Sequence, residues 1–430
     1  MSVNSIQLVM KKKRLLVCAY AFSPTLGSEF AQGWNYVNSM RQDHDITVLV
    51  GSSDGRMGDF ELLKSSEVQS LAGVTVVPVM PDRFGLLIKR LDVGLGMSWL
   101  FVLALKRWHQ LAYRLAVRLH HANPFDVVHQ LGPVGFRNPG YLHKLAIPSY
   151  WGPIGGFQYI KLQLAFRSSI RYGVISLIRN ISTFMSAHSP YVANAVKGFS
   201  ALSFATKTNR ENFLKVYAAD GPVLSDQATV LTDLVSNEML QKLSASPLCV
   251  VWCGSIDDRK NIRLLVDIAT KLQPLGTDVR FKVIGTGPRL EISRATASDR
   301  GLTNIEFTGQ IPRSEVREHF RNAHVLCFTS LSEANTSTFF EALEAGCIPI
   351  ALDLDGFTSN ITDAIGFKIP VDAGYDNICR GFAQHLDLLS RNPSLVAARQ
   401  AEIHDSLRDF SWMTLADKHR ERIGAAISNL

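Results

Sequence analysis

Two acidic side chains, Glu333 and Glu341, stand eight positions apart in the stretch SLSEANTSTFFEALEAGCIPI, residues 330–350. The apolar run Val325–Phe328 reads as a strand that delivers the chain into a polar loop, Ser332-Glu333-Ala334-Asn335-Thr336-Ser337. A helix is expected from there to about Ala345, where Gly346 stops it. A strand-to-helix turn of this kind points backbone N–H groups and the positive end of a helix dipole at one place, which suits a diphosphate without requiring a cation. Glu333 falls just before the helix and Glu341 about one turn inside it, so one carboxylate can reach a sugar while the other reaches a ribose. Plainer readings exist for both. Thr338-x-x-Glu341 has the spacing of a capping box, and Glu333 reads equally as a solvated loop acid.

Three further segments precede this one in a fixed order. VVWCGSIDDRKNIRLL (250–265) is a strand, a turn at Gly254-Ser255, and then Arg259-Lys260 opening a helix. Two cations there can neutralise a diphosphate as it leaves, although surface charge flanking a helix looks the same. FKVIGTGPRLE (281–291) sets Gly285-x-Gly287 after a strand, where backbone can approach a nucleotide closely. As a dinucleotide fingerprint it fails, since the third glycine and the downstream acid are not in place. FTGQIP (307–312) ends another strand in a tight turn, with Gln310 and Ile311 placed to clamp a base.

The elements that must position these groups read as two α/β domains. Short apolar runs alternate with longer helical-period segments, which argues for parallel sheets flanked by helices. Strands are expected at Leu15–Ala21, Ile46–Gly51, Val74–Val79, Val127–His129 and Ser149–Trp151, then at Cys249–Cys253, Arg280–Ile284, Asn304–Phe307, Val325–Phe328 and Ile348–Leu352. A chain of 430 residues exceeds what one core usually organises. The expected division is 1–225, 226–410 and a charged C-terminal helix over 411–430 packing back toward the first domain, with the boundary near 218–247. The charge is asymmetric: +12 over residues 1–225 against −5 over 226–430. Residues 137–197 hold seven basic side chains and no acidic one. No nucleic-acid module accompanies them, so anionic lipid or a phosphorylated acceptor is the better match. Residues 84–118 mix Phe84, Leu86, Leu87, Trp99, Leu100 and Phe101 with Lys89, Arg90, Lys106, Arg107, Arg114 and Arg118, which reads as a face able to rest on anionic lipid or as core helices with a solvated side. The six cysteines read as reduced core residues without metal spacing. Lys11–Arg14 followed by LLVCAYAF reads as a first buried strand rather than a leader, and the apolar run Val93–Leu105 is too short to span a bilayer.

The four segments between 248 and 350 resemble the donor domain of the retaining glycosyltransferases of family 4. The carriers are Glu333 and Glu341 as its Glu-x7-Glu motif, with Glu341-Ala342-Leu343-Glu344-Ala345-Gly346 following. The resemblance implies a GT-B fold, two Rossmann-like doubly wound domains facing across a cleft. It further implies transfer of a hexose from a nucleotide sugar, with retention, to a saccharide or polyprenyl-linked acceptor in surface polysaccharide or glycan biosynthesis. It assigns Glu333 to the hexose, Glu341 to the ribose and Lys260 to the diphosphate, with Arg259 taking the role of the family's Arg that Ser255 replaces, and with no metal or other cofactor. Asn335, Thr336 and Ser337 line the donor loop. The chain departs from the family at Ser255, where an Arg is usual, and at Ala334-Asn335-Thr336, where Gly-Phe-Gly is usual. In the first half, the resemblance makes Gly27 and Ser28 a phosphate-facing loop and places His129 near the transferred sugar, while Gly155 and Gly156 let backbone approach the substrates. A satisfied buried histidine and ordinary turn glycines are the competing readings. The expected location is cytoplasmic, with peripheral contact at the inner face of the plasma membrane. A catalytically silent binding partner and a nucleotide-binding oxidoreductase are the alternatives; the latter needs a complete glycine fingerprint that Ser23–Glu29 lacks.

Overall fold

The computed structural model describes residues 12–69, 71–87, 98–230 and 247–428. Lys11, Lys89, Arg90 and most of the expected boundary segment lie outside the described residues. The chain forms two compact units: Met1–Pro153 with Pro190–Ser203 and Ala416–Leu430, and Ile154–Ser189 with Phe204–Leu415.

The sheet of the first unit has the order β3-β2-β1-β4-β5-β6. Its strands are β1 Lys13–Cys18, β2 His44–Val50, β3 Val74–Pro78, β4 Val127–Gln130, β5 Ser149–Ile154 and β6 Ala201–Phe204. The expected strands recur with ends shifted by a few residues, and β6 is additional. Leu15–Cys18 is wholly buried because β1 lies between β2 and β4, with Leu15 beside both Ile46 and Val127. A strand covered on both faces needs the continuous apolar run seen here.

The second sheet has the order β12-β11-β10-β7-β8-β9. Its strands are β7 Leu248–Cys253, β8 Val279–Ile284, β9 Ile305–Gly309, β10 Val325–Phe328, β11 Ile348–Leu352 and β12 Phe367–Ile369. Registered pairs run parallel, such as Val325 with Ile348 and with Val250. The helix Ile262–Leu272 buries Ile262, Leu264, Leu265, Val266, Ile268, Ala269 and Leu272. Each of its large apolar side chains contributes about 1.5–3 kcal/mol through burial.

The units divide the chain differently from a single cut at 225/226. Residues 154–189 and 204–225 belong with the second unit, where Ser168 Oγ donates to Asp258 O at 2.9 Å and Lys161 meets Asp372 at 2.9 Å. Within the helix Trp412–Ser428, His419 is buried against Tyr36 and Tyr150 of the first unit. Of the expected basic and apolar face over 84–118, Phe84, Leu86, Leu87, Phe101, Arg114 and Arg118 are exposed. The helix Ser98–Ala122 turns Ala104, Leu105, Trp108, Ala112 and Ala116 into the core, and Arg107 is taken by Asp82 at 2.6 Å. All six cysteines are free.

Candidate functional site

At the carboxyl edge of the second sheet three strand ends lie side by side. Gly254 N donates to Ile284 O at 3.0 Å, and Gly285 N to Gly309 O at 2.9 Å. Gly285 has φ +133°, and a Cβ there would stand 1.9 Å from Gly254 O. At Gly287 it would stand 2.5 Å from Ile256 O. These glycines are required because two loops pack backbone against backbone, a different reason from the expected approach to a nucleotide. Ser255 and Ile256 are held in the same contact, with Ile256 N donating to Thr286 O at 2.9 Å.

The loop that follows carries the cations. Lys260 N donates to Asp257 Oδ1 at 2.8 Å, and Asn261 adopts a left-handed cap at φ 54° before the helix starts at Ile262. Arg259 and Lys260 therefore sit in the turn ahead of the helix, not in its first turn as the sequence suggested. The turn is stitched to the end of β10: Leu331 N donates to Arg259 O at 2.9 Å, and Thr329 Oγ1 to Lys260 O at 2.7 Å. Both cations then reach one oxygen. Arg259 Nη1 and Lys260 Nζ each lie 2.5 Å from Glu333 Oε1, and Arg259 also donates to Ser332 O at 3.2 Å. Two positive charges meet on one carboxylate, with Asp257 as a further acidic neighbour of Arg259, at a place where Lys260 is only 8% exposed.

Thr336 is the N-cap of the helix Ser337–Glu344, and no side chain caps it. The capping box does not form. Glu341 instead meets Arg313 Nη2 at 2.5 Å. The Cys253 thiol at the end of β7 is pushed up to about 12, mainly by burial and then by the charge of Glu341, while Lys260 pulls it the other way. Glu341 and Lys260 thus act on the same strand end. Three of the four predicted ionic residues touch directly; the fourth, Glu341, pairs with Arg313 and is linked to them through its influence on Cys253.

The Ala334-Asn335-Thr336 loop is pinned by its own asparagine. Asn335 Nδ2 donates to Asp226 Oδ1 at 2.5 Å and Ala205 O at 3.1 Å, while its Oδ1 accepts from Asn360 Nδ2 at 2.5 Å. Ala334 O packs so tightly on Gly356 that a Cβ there would lie 1.5 Å away. Gln310 is exposed and Ile311 half-buried just past β9.

Sequence reasoning missed Asp355 and Gln158. Asp355 has φ +50°, an uncommon conformation for a residue with a side chain. Its Oδ2 accepts from Glu333 N at 3.3 Å. Burial, followed by the Glu333 charge, raises its carboxyl to about 7. Gln158 is buried with Nε2 3.5 Å from Ser332 Oγ and with Oε1 unpaired. Neither had a signal in spacing, because each reaches the loop from a distant stretch of chain. Gly155 and Gly156, three and two residues before Gln158, fall in the second unit, with Gly156 at φ +78°.

The first-unit candidates are placed less favourably for chemistry. His129 is fully buried, with Nδ1 2.6 Å from Tyr36 Oη and Nε2 2.7 Å from Gly152 O. A carbonyl only accepts, so Nε2 carries the proton and Nδ1 accepts from the tyrosine. Burial lowers its pKa to about 3. Both nitrogens are occupied, and the expected catalytic role for His129 gives way to that of a satisfied core histidine. Gly27 is the exposed N-cap of the helix Ser28–Met40, its carbonyl accepting from Phe30 N at 3.0 Å and Ala31 N at 3.1 Å, without a side-chain cap. Among the described residues no group of three or more His, Cys, Asp or Glu is placed to hold a metal ion.

Two doubly wound α/β units with parallel sheets define the GT-B class of fold. The lipopolysaccharide outer core galactosyltransferase WaaB in its apo form shares it at TM-score 0.63 and 13% identity, over 97% of this chain and 100% of that one. HepE from Anabaena in complex with UDP shares it at TM-score 0.62 and 13% identity, over 96% and 100%. In sequence, residues 241–388 match the family model for glycosyl transferases group 1. Over 200 residues the chain is 26% identical to a phosphatidylinositol N-acetylglucosaminyltransferase subunit of Arabidopsis thaliana, covering 44% of this chain and 42% of that protein. The chain spans less than half the length of the curated relatives it matches. These findings support a glycosyltransferase of GT-B fold.

Proposed function

We propose that the protein is a retaining hexosyltransferase that uses a nucleotide-diphosphate sugar and passes the hexose to a saccharide or polyprenyl-linked saccharide acceptor, in glycan biosynthesis on the cytoplasmic side of a membrane. The observation that carries this reading is the meeting of Arg259 and Lys260 on Glu333 Oε1, each at 2.5 Å, beside a helix start that no side chain caps. A diphosphate entering there competes with Glu333 for the two cations and gains the helix amides. The released Glu333 carboxylate is then available to the hexose, and Glu341 to the ribose. As the sugar–phosphate bond breaks, the fixed cations take up the growing charge on the leaving diphosphate. The acceptor hydroxyl attacks from the same face and passes its proton to that phosphate, so the configuration is kept. The assignment requires no metal, because the positive charge is built into the loop.

The test is nucleotide release from a panel of UDP-, GDP- and dTDP-sugars by the wild type and by Lys260→Ala. Removing one preorganised cation should cut turnover by about 10²–10³-fold and weaken the thermal stabilisation that the preferred nucleotide confers. Unchanged turnover and stabilisation in the variant overturn the assignment.

A further inference from the structure

The helix Ile170–Ala187 is built inside out. The residues it buries are small or polar: Gly173, Ser176, Thr183 and Ala187. The residues it exposes are large and apolar: Ile170 (77%), Val174, Ile175, Leu177, Ile178 (61%), Ile181, Phe184 and Met185 (67%). At about 100° per residue these eight lie within one half of the helix circumference, which exposed Arg171 and Ser182 share, and the buried four lie in the other half. The preceding helix Leu162–Ser168 extends the surface, because Phe166 lies directly over Gly173, where a Cβ would come 2.2 Å from its ring, and is itself 42% exposed. A helix facing water normally has the opposite arrangement, and contiguous apolar surface of this kind marks an interaction site.

Charge identifies what covers it. Arg171 is exposed on the same helix, as is Arg179, which also acts on Asp355, and Arg167 just before it is exposed and lies over the Tyr375 ring at 4.9 Å; residues 127–210 contain no Asp or Glu. A second copy docking here would face arginines with arginines and supply no acid from this region. A layer of anionic headgroups over acyl chains satisfies both features, with arginine stems lying along the apolar face and their guanidinium groups reaching outward. No described helix is long and apolar enough to cross a membrane. We infer that the helix Ile170–Ala187 lies flat on an anionic lipid surface and docks the second unit there through its apolar face and flanking arginines.

The experiment is co-sedimentation of the full chain with vesicles of phosphatidylcholine alone and of phosphatidylcholine with phosphatidylglycerol, and size determination in solution without lipid. The wild type should bind the anionic vesicles at least about tenfold more tightly than the neutral ones. Ile178→Asp with Ile181→Asp should abolish binding to both. Arg171→Gln with Arg179→Gln should remove the preference for anionic lipid. All substituted side chains are exposed, so melting curves matching the wild type are expected and show that loss of binding is not loss of fold. Absence of wild-type binding to either vesicle, or undiminished binding by the Asp variant, overturns the inference. So does a concentration-dependent dimer that the Asp variant dissolves, which assigns the surface to a second copy. None of these readouts depends on sugar transfer.

Discussion

Glu333→Gln separates two roles of one carboxylate, holding two cations together and the proposed one of meeting the substrate. The substitution keeps shape and hydrogen-bonding atoms but removes the charge on which Arg259 and Lys260 converge, each at 2.5 Å. Two contacts of that length to a single oxygen hold the cationic nitrogens within about 5 Å of each other. At an effective dielectric near 20 their bare repulsion is about 3 kcal/mol. Arg259 is 35% exposed, and solvent screening reduces the expected cost to about 1–2 kcal/mol. In a unit of this size that lowers the melting temperature by about 2–8 °C. A nucleoside diphosphate brings the missing negative charge, so the ligand-induced rise in melting temperature should be larger for the variant than for the wild type. Turnover should nonetheless fall by about 10²–10³-fold, because the group proposed to meet the hexose is neutral. The assays are thermal melting with and without UDP and GDP, and nucleotide release. An unchanged apo melting temperature together with an equal ligand shift would refute the electrostatic argument, and wild-type turnover would refute the catalytic one.

Acid should weaken the first unit. Burial holds His109 and His129 to about 3, and His419 well below its ordinary value. The unfolded chain takes up these protons near pH 6.5 while the folded chain does not, so stability present above that pH is lost as pH falls from about 6.5 toward 3, at up to about 1.4 kcal/mol per pH unit for each histidine. Denaturant melts across that window, and a shallower slope in His129→Gln, check it. Asp355, raised to about 7 by burial, has the opposite sign: it costs stability as pH rises from about 4 to 7. Asp355→Asn should therefore melt higher than the wild type at pH 7.5 and the same at pH 4. Gly285→Ala should be destabilised by at least about 2–3 kcal/mol, since its Cβ would collide with Gly254 O at 1.9 Å; a soluble protein melting like the wild type would contradict the backbone-on-backbone packing.

Central strands such as IPIAL of β11 were legible because a strand covered on both faces must be an unbroken apolar run, while VRFKVI of β8 and IEFTG of the edge strand β9 show the alternation of a strand with one face less covered. ALSF of β6 and FKI of β12 are short runs each broken by a polar residue, Ser203 and Lys368, and were not read as strands. The cluster of Arg259, Lys260 and Glu333 was readable from order and residue type, since loops at adjoining strand ends meet. What could not be read was anything set by the partner surface. His129 is a core residue because Tyr36 and Gly152 surround it, and the glycines at 285 and 287 answer to a neighbouring loop. The helix Ile170–Ala187 has the ordinary periodicity of a core helix, and only the structure shows which half faces out.

The chain passes between the two units several times, and Ala416–Leu430 rejoins the first only after every residue of the second has been laid down. During synthesis the second unit is therefore complete while the first still waits for the segment that carries His419 to Tyr36 and Tyr150. Order of emergence and order of completion are reversed. A fragment cut at the middle of the chain isolates neither unit, whereas removing residues 416–428 leaves the later unit whole and strips the earlier one of part of its core.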